Sequence, residues 1–142
     1  LHDVGKIGIR ESVLNKPGAL TPEEFDHVKA HVGIGIDILT GLKPIAHLLP
    51  AIQDHHEHWD GQGYPRGIAG EAITLGGRVL AAADAFDALT SNRAWREPLS
   101  PTDALKFLEE RSGTLLDPAV FQALKAVVTR RKTLHFLEAV PE

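Results

Sequence analysis

An all-α fold is what this sequence predicts. Apolar residues recur at helical spacing, Pro and small hydroxyl or carboxylate side chains mark several helix starts, and no segment keeps the period of two that a half-buried strand needs. The 142 residues are 43% apolar and 24% charged, enough for about one domain with a buried core. Fifteen Lys and Arg against nineteen Asp and Glu give a formal charge of −4, which excludes a generally basic binder of nucleic acid polymers but permits a local cationic pocket. The absence of cysteine excludes a disulfide framework, a thiolate zinc site and a cysteine nucleophile, and fits a reducing compartment. No apolar run approaches the ~18 residues of a membrane span, and no signal peptide is visible. With no methionine and an opening Leu1-His2-Asp3, the chain reads as a piece of a longer protein.

Leu1 to Ile9 reads as the last turns of an apolar helix, and Pro17-Gly18 as a turn. Thr21-Pro22-Glu23-Glu24 is a strong helix start, with Thr21 as N-cap, Pro22 first in the helix and Glu24 the capping-box partner. The spacing predicts one helix from there to about Thr40, capped by Gly41, with Phe25, Val28, Val32, Ile36 and Leu39 on its inner face and His31 beside them. A helix over 48–59 would carry Leu48, Leu49, Ile52, His55, His56 and Trp59 on one side, with Pro50 starting or kinking it. From Asp60 to Gly76 the glycines at 61, 63, 67 and 70 with Pro65 predict a structured loop, long enough to suggest a functional role. A helix rich in small residues follows from about Gly77 to Ser91. Ser100-Pro101 starts another that ends near Gly113, and Asp117-Pro118 starts a last one with Phe121, Leu124, Val127 and Val128 as its apolar face. Arg130, Arg131 and Lys132 would sit at its C-terminal end, as the helix dipole favours.

Eight histidines stand out as candidate metal ligands. His2-Asp3 is a weak pair by itself, because adjacent helical residues point about 100° apart. His55-His56 gains weight from lying on the apolar half of its helix. Asp84 stands in the nearly apolar run Val79–Phe86, where an unpaired carboxylate is costly; it either caps or pairs with a neighbour, such as an arginine, or joins the histidines on a metal. His2, Asp3, His31, His55, His56 and Asp84 together exceed what one tetrahedral zinc uses. Two ions sharing a carboxylate fit better, and mixed imidazole and carboxylate donors favour Fe or Mn at least as well as Zn. Such a pair suits displacement at phosphorus, in which Lys6, Arg93 and Arg96 could grip phosphate oxygens, the plainer reading of each arginine being a solvated surface charge.

The segment His2-Asp3-Val4-Gly5-Lys6 resembles the HDxGK core of the HD-superfamily phosphohydrolases. His55-His56-Glu57-His58-Trp59-Asp60-Gly61-Gln62-Gly63-Tyr64-Pro65 is similar to the HHExWDGxGYP element of their HD-GYP subfamily. Leu14-Asn15-Lys16-Pro17-Gly18-Ala19-Leu20-Thr21 and Ala83-Asp84-Ala85-Phe86-Asp87-Ala88-Leu89-Thr90 match in the same order. The resemblance implies a helical HD-superfamily bundle with a long Gly-rich GYP loop: a partial HD-GYP domain over 1–128, lacking its N-terminal helices, and a tail over 129–142. It further implies a bacterial, cytoplasmic cyclic-di-GMP phosphodiesterase, the output domain of a signalling protein, that opens its substrate to pGpG and in some members on to GMP. His2, Asp3, His31, His55, His56 and Asp84 fall on the family's metal ligands for two divalent ions, with Asp3 bridging and, with Lys6, catalytic. Lys6, Arg93 and Arg96 fall on phosphate contacts, and Gly63, Tyr64 and Pro65 on the substrate-side loop that also docks diguanylate cyclase (GGDEF) domains. An upstream sensor or receiver domain is expected, and so is a homodimer covering the apolar surface that the missing helices leave. Those helices supply a further His and in some members a Glu, so a catalytically silent signalling module is the alternative. His58 replaces the usual Arg or Lys, and Trp95 a common Tyr.

Overall fold

The computed structural model describes residues 1–92 and 97–138, with side chains described through residue 130. The described residues contain seven α-helices and no strand, apart from one isolated bridge between Ser112 and Leu116. The helices are α1 (Glu11–Leu14), α2 (Pro22–Lys29), α3 (His31–Leu39), α4 (Leu49–Asp54), α5 (Leu75–Thr90), α6 (Pro101–Glu109) and α7 (Pro118–Glu138). Short 3-10 turns occupy Val4–Gly8, Lys43–Leu48 and Gly70–Ala72.

Where local hydrogen bonding sets a helix start, the sequence expectation holds. The capping box forms at Thr21: its hydroxyl accepts from the Glu24 N–H at 3.2 Å and its own N–H donates to the Glu24 carboxylate at 2.8 Å. Ser100 caps α6 by accepting from the Asp103 N–H at 3.1 Å. Asp117 accepts the Ala119 N–H at 2.8 Å to begin α7, and its second oxygen takes the Arg78 guanidinium at 2.7 Å, tying that start to α5. Thr74 caps α5, which therefore begins at Leu75 rather than near Gly77.

Other elements differ. Val4–Gly8 is a 3-10 turn, not the end of an α-helix, because its N–H groups reach back three residues, as Lys6 does to the Asp3 carbonyl at 3.0 Å. The segment expected as one helix over 21–40 is two, broken at Ala30, whose N–H bonds the His27 carbonyl three residues back. Thr40, not a left-handed Gly41, caps α3. Pro50 starts α4, which ends at Asp54, so His55, His56 and Trp59 lie beyond it; the Ile52 carbonyl accepts from the His55 ring, and the Asp54 carbonyl from the Glu57 N–H three residues on. Irregular chain therefore runs from 55 to 74, interrupted by the Gly70–Ala72 turn. Helix α6 stops at Glu109, short of Gly113, and α7 runs through residue 128 to Glu138, so Arg130 lies within it.

The main core gathers Ala82 and Leu89 of α5, Ala104 and Leu108 of α6, and Leu116 and Phe121 at the α7 end. Phe121 is the largest fully buried side chain. Phe25 and Val127, expected inside, are exposed on their helices. The Val4–Gly8 turn packs against α3. A Cβ on Gly5 would overlap the His31 carbonyl and the Gly35 nitrogen, so only glycine lets the two backbones approach this closely. That approach brings Asp3 to His31.

Phe121→Ala should cost about 3–5 kcal/mol of unfolding free energy, as expected for an emptied aromatic site in a packed core. A urea titration followed by circular dichroism measures it, and a change near zero would show that this cluster is not the core.

Candidate metal centre

The Val4–Gly8 turn, α3, the end of α4 and the middle of α5 each deliver polar side chains to one place. His31 at the start of α3 and His55 just past α4 are almost fully buried, at 1% and 2% exposure. In each ring Nδ1 lies 2.6 Å from a carbonyl three residues earlier, Val28 for His31 and Ile52 for His55. A carbonyl can only accept, so both Nδ1 atoms carry a proton, and in the neutral ring each Nε2 presents its lone pair. Those two buried Nε2 atoms have no hydrogen-bond partner. Buried polar atoms are rarely left unpaired, and this arrangement is the one that orients imidazole towards a cation.

Asp3 supplies the charge. Its Oδ1 lies 3.6 Å from His31 Nε2, and its Oδ2 lies 2.6 Å from Lys6 Nζ and 3.6 Å from His2 Nε2. Ligand atoms of Asp3, His31, His55 and His56 all fall within 4.8 Å of one another, close enough to surround one cation. His2 Nε2 is also 3.6 Å from Asp84 Oδ1, and its ring centre is 5.2 Å from that of His55. The side chains of His2, Asp3, His31, His55, His56 and Asp84 thus meet, four in a tight group and His2 linking Asp84 to it. Asp84 is not the buried carboxylate its apolar surroundings suggested: its side chain keeps 33% exposure beside the part-exposed His2.

The electrostatics match a site built for a cation. Burial, reinforced by the neighbouring His55 and His31, pushes His56 from 6.5 to about 3, and burial likewise lowers His55. Burial alone would raise Asp3, but the Lys6 hydrogen bond and charge, with His2 and His31, outweigh it and hold the carboxyl below its ordinary range. Neutral imidazoles beside a carboxylate are the protonation states that metal binding requires. Nitrogen and oxygen donors without sulfur suit Fe, Mn or Zn.

Tyr64 stacks on His56, with ring centres 4.8 Å apart and 27° between planes, and meets Phe25 edge-on at 6.0 Å. Burial, then the charges of Asp3 and Asp84, hold its phenol above the ordinary value, so it stays protonated. Gly63 lies so close to the backbone of 56–58 that a Cβ would overlap it, which sets Tyr64 against His56. Pro65 follows Tyr64 at the exposed edge of this segment. Arg93 and Arg96 lie outside the described residues. Sequence reasoning assigned no role to Asp54, Glu57 or Arg66, although two acidic residues flanking His55-His56 on the apolar half of a helix were a visible signal.

Residues 1–120 match the model of the HD domain family, and the chain belongs to that family. It is 46% identical over 125 residues, 87% of this chain and 34% of the relative, to a cyclic di-GMP phosphodiesterase of Thermotoga maritima. It is 42% identical over 125 residues, 88% of this chain and 27% of the relative, to 3'3'-cGAMP-specific phosphodiesterase 3 of Vibrio cholerae. The chain thus spans about a third or less of the curated relatives it matches. A crystal structure of a cyclic GMP-AMP specific phosphodiesterase of V. cholerae shares the fold, with a TM-score of 0.64 at 24% identity over 96% of this chain and 35% of that one.

The depressed histidines fix how the metal-free protein responds to acid. The unfolded chain takes up protons on these histidines below about 6.5 while folded His56 stays neutral down to about 3, so stability is lost as pH falls through that window. The lowered Asp3 acts in the same direction. The urea midpoint should fall between pH 7 and pH 4, and fall less in His56→Gln; a flat profile in the wild type would contradict the buried, neutral imidazole.

Proposed function

We propose that this chain is the catalytic domain of a metal-dependent phosphodiesterase that hydrolyses cyclic di-GMP to pGpG, and in a second cut to GMP. The observation that carries the reading is the pair of buried, partnerless Nε2 atoms of His31 and His55 facing Asp3, in a chain whose relatives are named for hydrolysis of cyclic dinucleotides. In this reading His2, Asp3, His31, His55, His56 and Asp84 would hold two divalent ions, Fe or Mn favoured over other metals. Bound there, divalent ions supply the Lewis acidity that activates water and neutralises the ester oxygens.

The chain's own groups do the rest. The Nδ1–H bonds to Val28 and Ile52 hold two imidazoles in the donating tautomer and fix their aim. Asp3 contributes a carboxylate that stays ionised at neutral pH, kept so by Lys6. Lys6, half exposed beside Asp3, is placed to share its ammonium between that carboxylate and a phosphate oxygen of the substrate. Gly63, Tyr64 and Pro65 form the substrate-side rim beside His56, where Tyr64 covers the ring and limits water. Arg93 and Arg96 complete the phosphate grip in this reading. A bacterial cytoplasmic setting, an upstream sensor or receiver domain and contacts with diguanylate cyclase domains belong to the same proposal. No helix among the described residues is long and apolar enough to cross a membrane.

A second reading is that 3'3'-cGAMP is the preferred substrate, favoured by the V. cholerae relative. The two cyclic dinucleotides differ in one base, so paired kcat/KM values decide between them.

Protein loaded without air with Fe(II) or Mn(II) should convert cyclic di-GMP to pGpG, followed by chromatography. Asp3→Ala should lower turnover by more than about a hundredfold, since even groups that only orient ligands cost 10–100-fold when removed. Arg93→Ala should raise KM with kcat largely kept. Fewer than one ion per correctly folded chain, with no turnover, would favour a silent signalling module instead.

A further inference from the structure

Two carboxylates beside the histidine pair do not join the cation cluster. Asp54 is fully buried and Glu57 is 2% exposed, yet neither belongs to the group formed by Asp3, His31, His55 and His56. All four of their oxygens are engaged elsewhere. Asp54 takes the Arg66 guanidinium on Oδ1 and the Thr74 N–H on Oδ2 at 3.0 Å. Glu57 takes the Arg66 N–H on Oε1 at 2.6 Å and the Ile68 N–H on Oε2 at 3.1 Å. Burying two carboxyl groups is expensive, and a packed apolar pair would hold a loop at less cost. What the charges give that apolar side chains cannot is direction, because each oxygen specifies one donor.

We propose that Glu57 and Asp54 are positioning residues, a latch that fastens segment 63–74 to the end of α4 so that Tyr64 is held over His56. The latch works through Arg66, whose N–H goes to Glu57 and whose guanidinium goes to Asp54, so one residue is gripped at both backbone and side chain. The Tyr64 N–H donates to the His56 carbonyl at 3.0 Å, two residues before this grip. His31 and His55 do not depend on the latch for their aim, because they take it from Val28 and Ile52. Loosening the latch therefore frees the rim while the two buried donors, His31 and His55, keep their aim. The kinetic consequence rests on the site being the cyclic-dinucleotide centre proposed above, whereas the structural consequence does not.

Tyr64 is the sole tyrosine of the sequence, so 3-fluorotyrosine gives one fluorine resonance that reads its stacking on His56. Glu57→Gln loses one acceptor and sets an amide N–H₂ against a backbone N–H, while Arg66→Lys keeps the charge on Asp54 but not the planar fork. In Glu57→Gln the resonance should move towards that of the free amino acid and metal content should match wild type. KM for cyclic di-GMP should rise about tenfold or more, the scale of one lost charged hydrogen bond, while cleavage of the small ester bis-p-nitrophenyl phosphate changes by less than about twofold. Arg66→Lys should shift both readouts in the same direction and by less, and it decides the matter if Glu57→Gln does not fold. A wild-type resonance and KM in Glu57→Gln, loss of metal, or equal loss on both substrates would overturn the latch. A wild type that binds metal but leaves the cyclic dinucleotide intact would overturn the proposed substrate alone, with the fluorine resonance and metal content still judging the latch.

Discussion

Two imidazoles give their Nδ1 protons to carbonyls three residues earlier in the chain, and the rest of the site depends on that commitment. Once His31 is bonded to Val28 and His55 to Ile52, their Nε2 lone pairs can face only inward, where water is excluded and no protein donor is offered. A buried acceptor in that position is costly unless a cation meets it. Asp3 stands 3.6 Å from one of these atoms and is itself steadied by Lys6, so charge is available where the lone pairs point.

The commitment is useful only because the backbones come close enough to exploit it. Gly5 lets the Val4–Gly8 turn lie against the His31 carbonyl and Gly35, and a larger residue there would lift Asp3 away from α3. The main core, around Phe121 and Leu108, packs α5, α6 and α7 together. Helix α5 serves both, carrying Ala82 and Leu89 into the core and Asp84 to the site. The Arg78–Asp117 pair fixes α5 against the start of α7.

The carboxylates near the site divide by environment. Asp3 and Asp84 remain part-exposed and face His2, whereas Asp54 and Glu57 are buried and fully hydrogen-bonded to the segment after Asp60. The first pair is open to a ligand; the second is closed to one. The same side-chain chemistry serves two purposes, decided by whether its lone pairs are already taken.

The helix starts at Thr21, Ser100 and Asp117 were legible from sequence because a cap is a hydrogen bond between residues two or three apart. The six candidate ligands were legible as residue types and through the resemblance of their motifs, and the structure brings their side chains together. Tertiary structure alone decided that α3 begins anew at His31, that α4 stops before its histidines, that Phe25 faces outward beside Tyr64, and that Asp84 lies half open. It also decided that Asp54 and Glu57 hold the loop, since their partners lie nine to twenty residues away. Local spacing fixes which face of a helix is apolar; it does not fix what packs against that face or where neighbouring backbones cross, and a site drawn from four parts of the chain is set by those crossings.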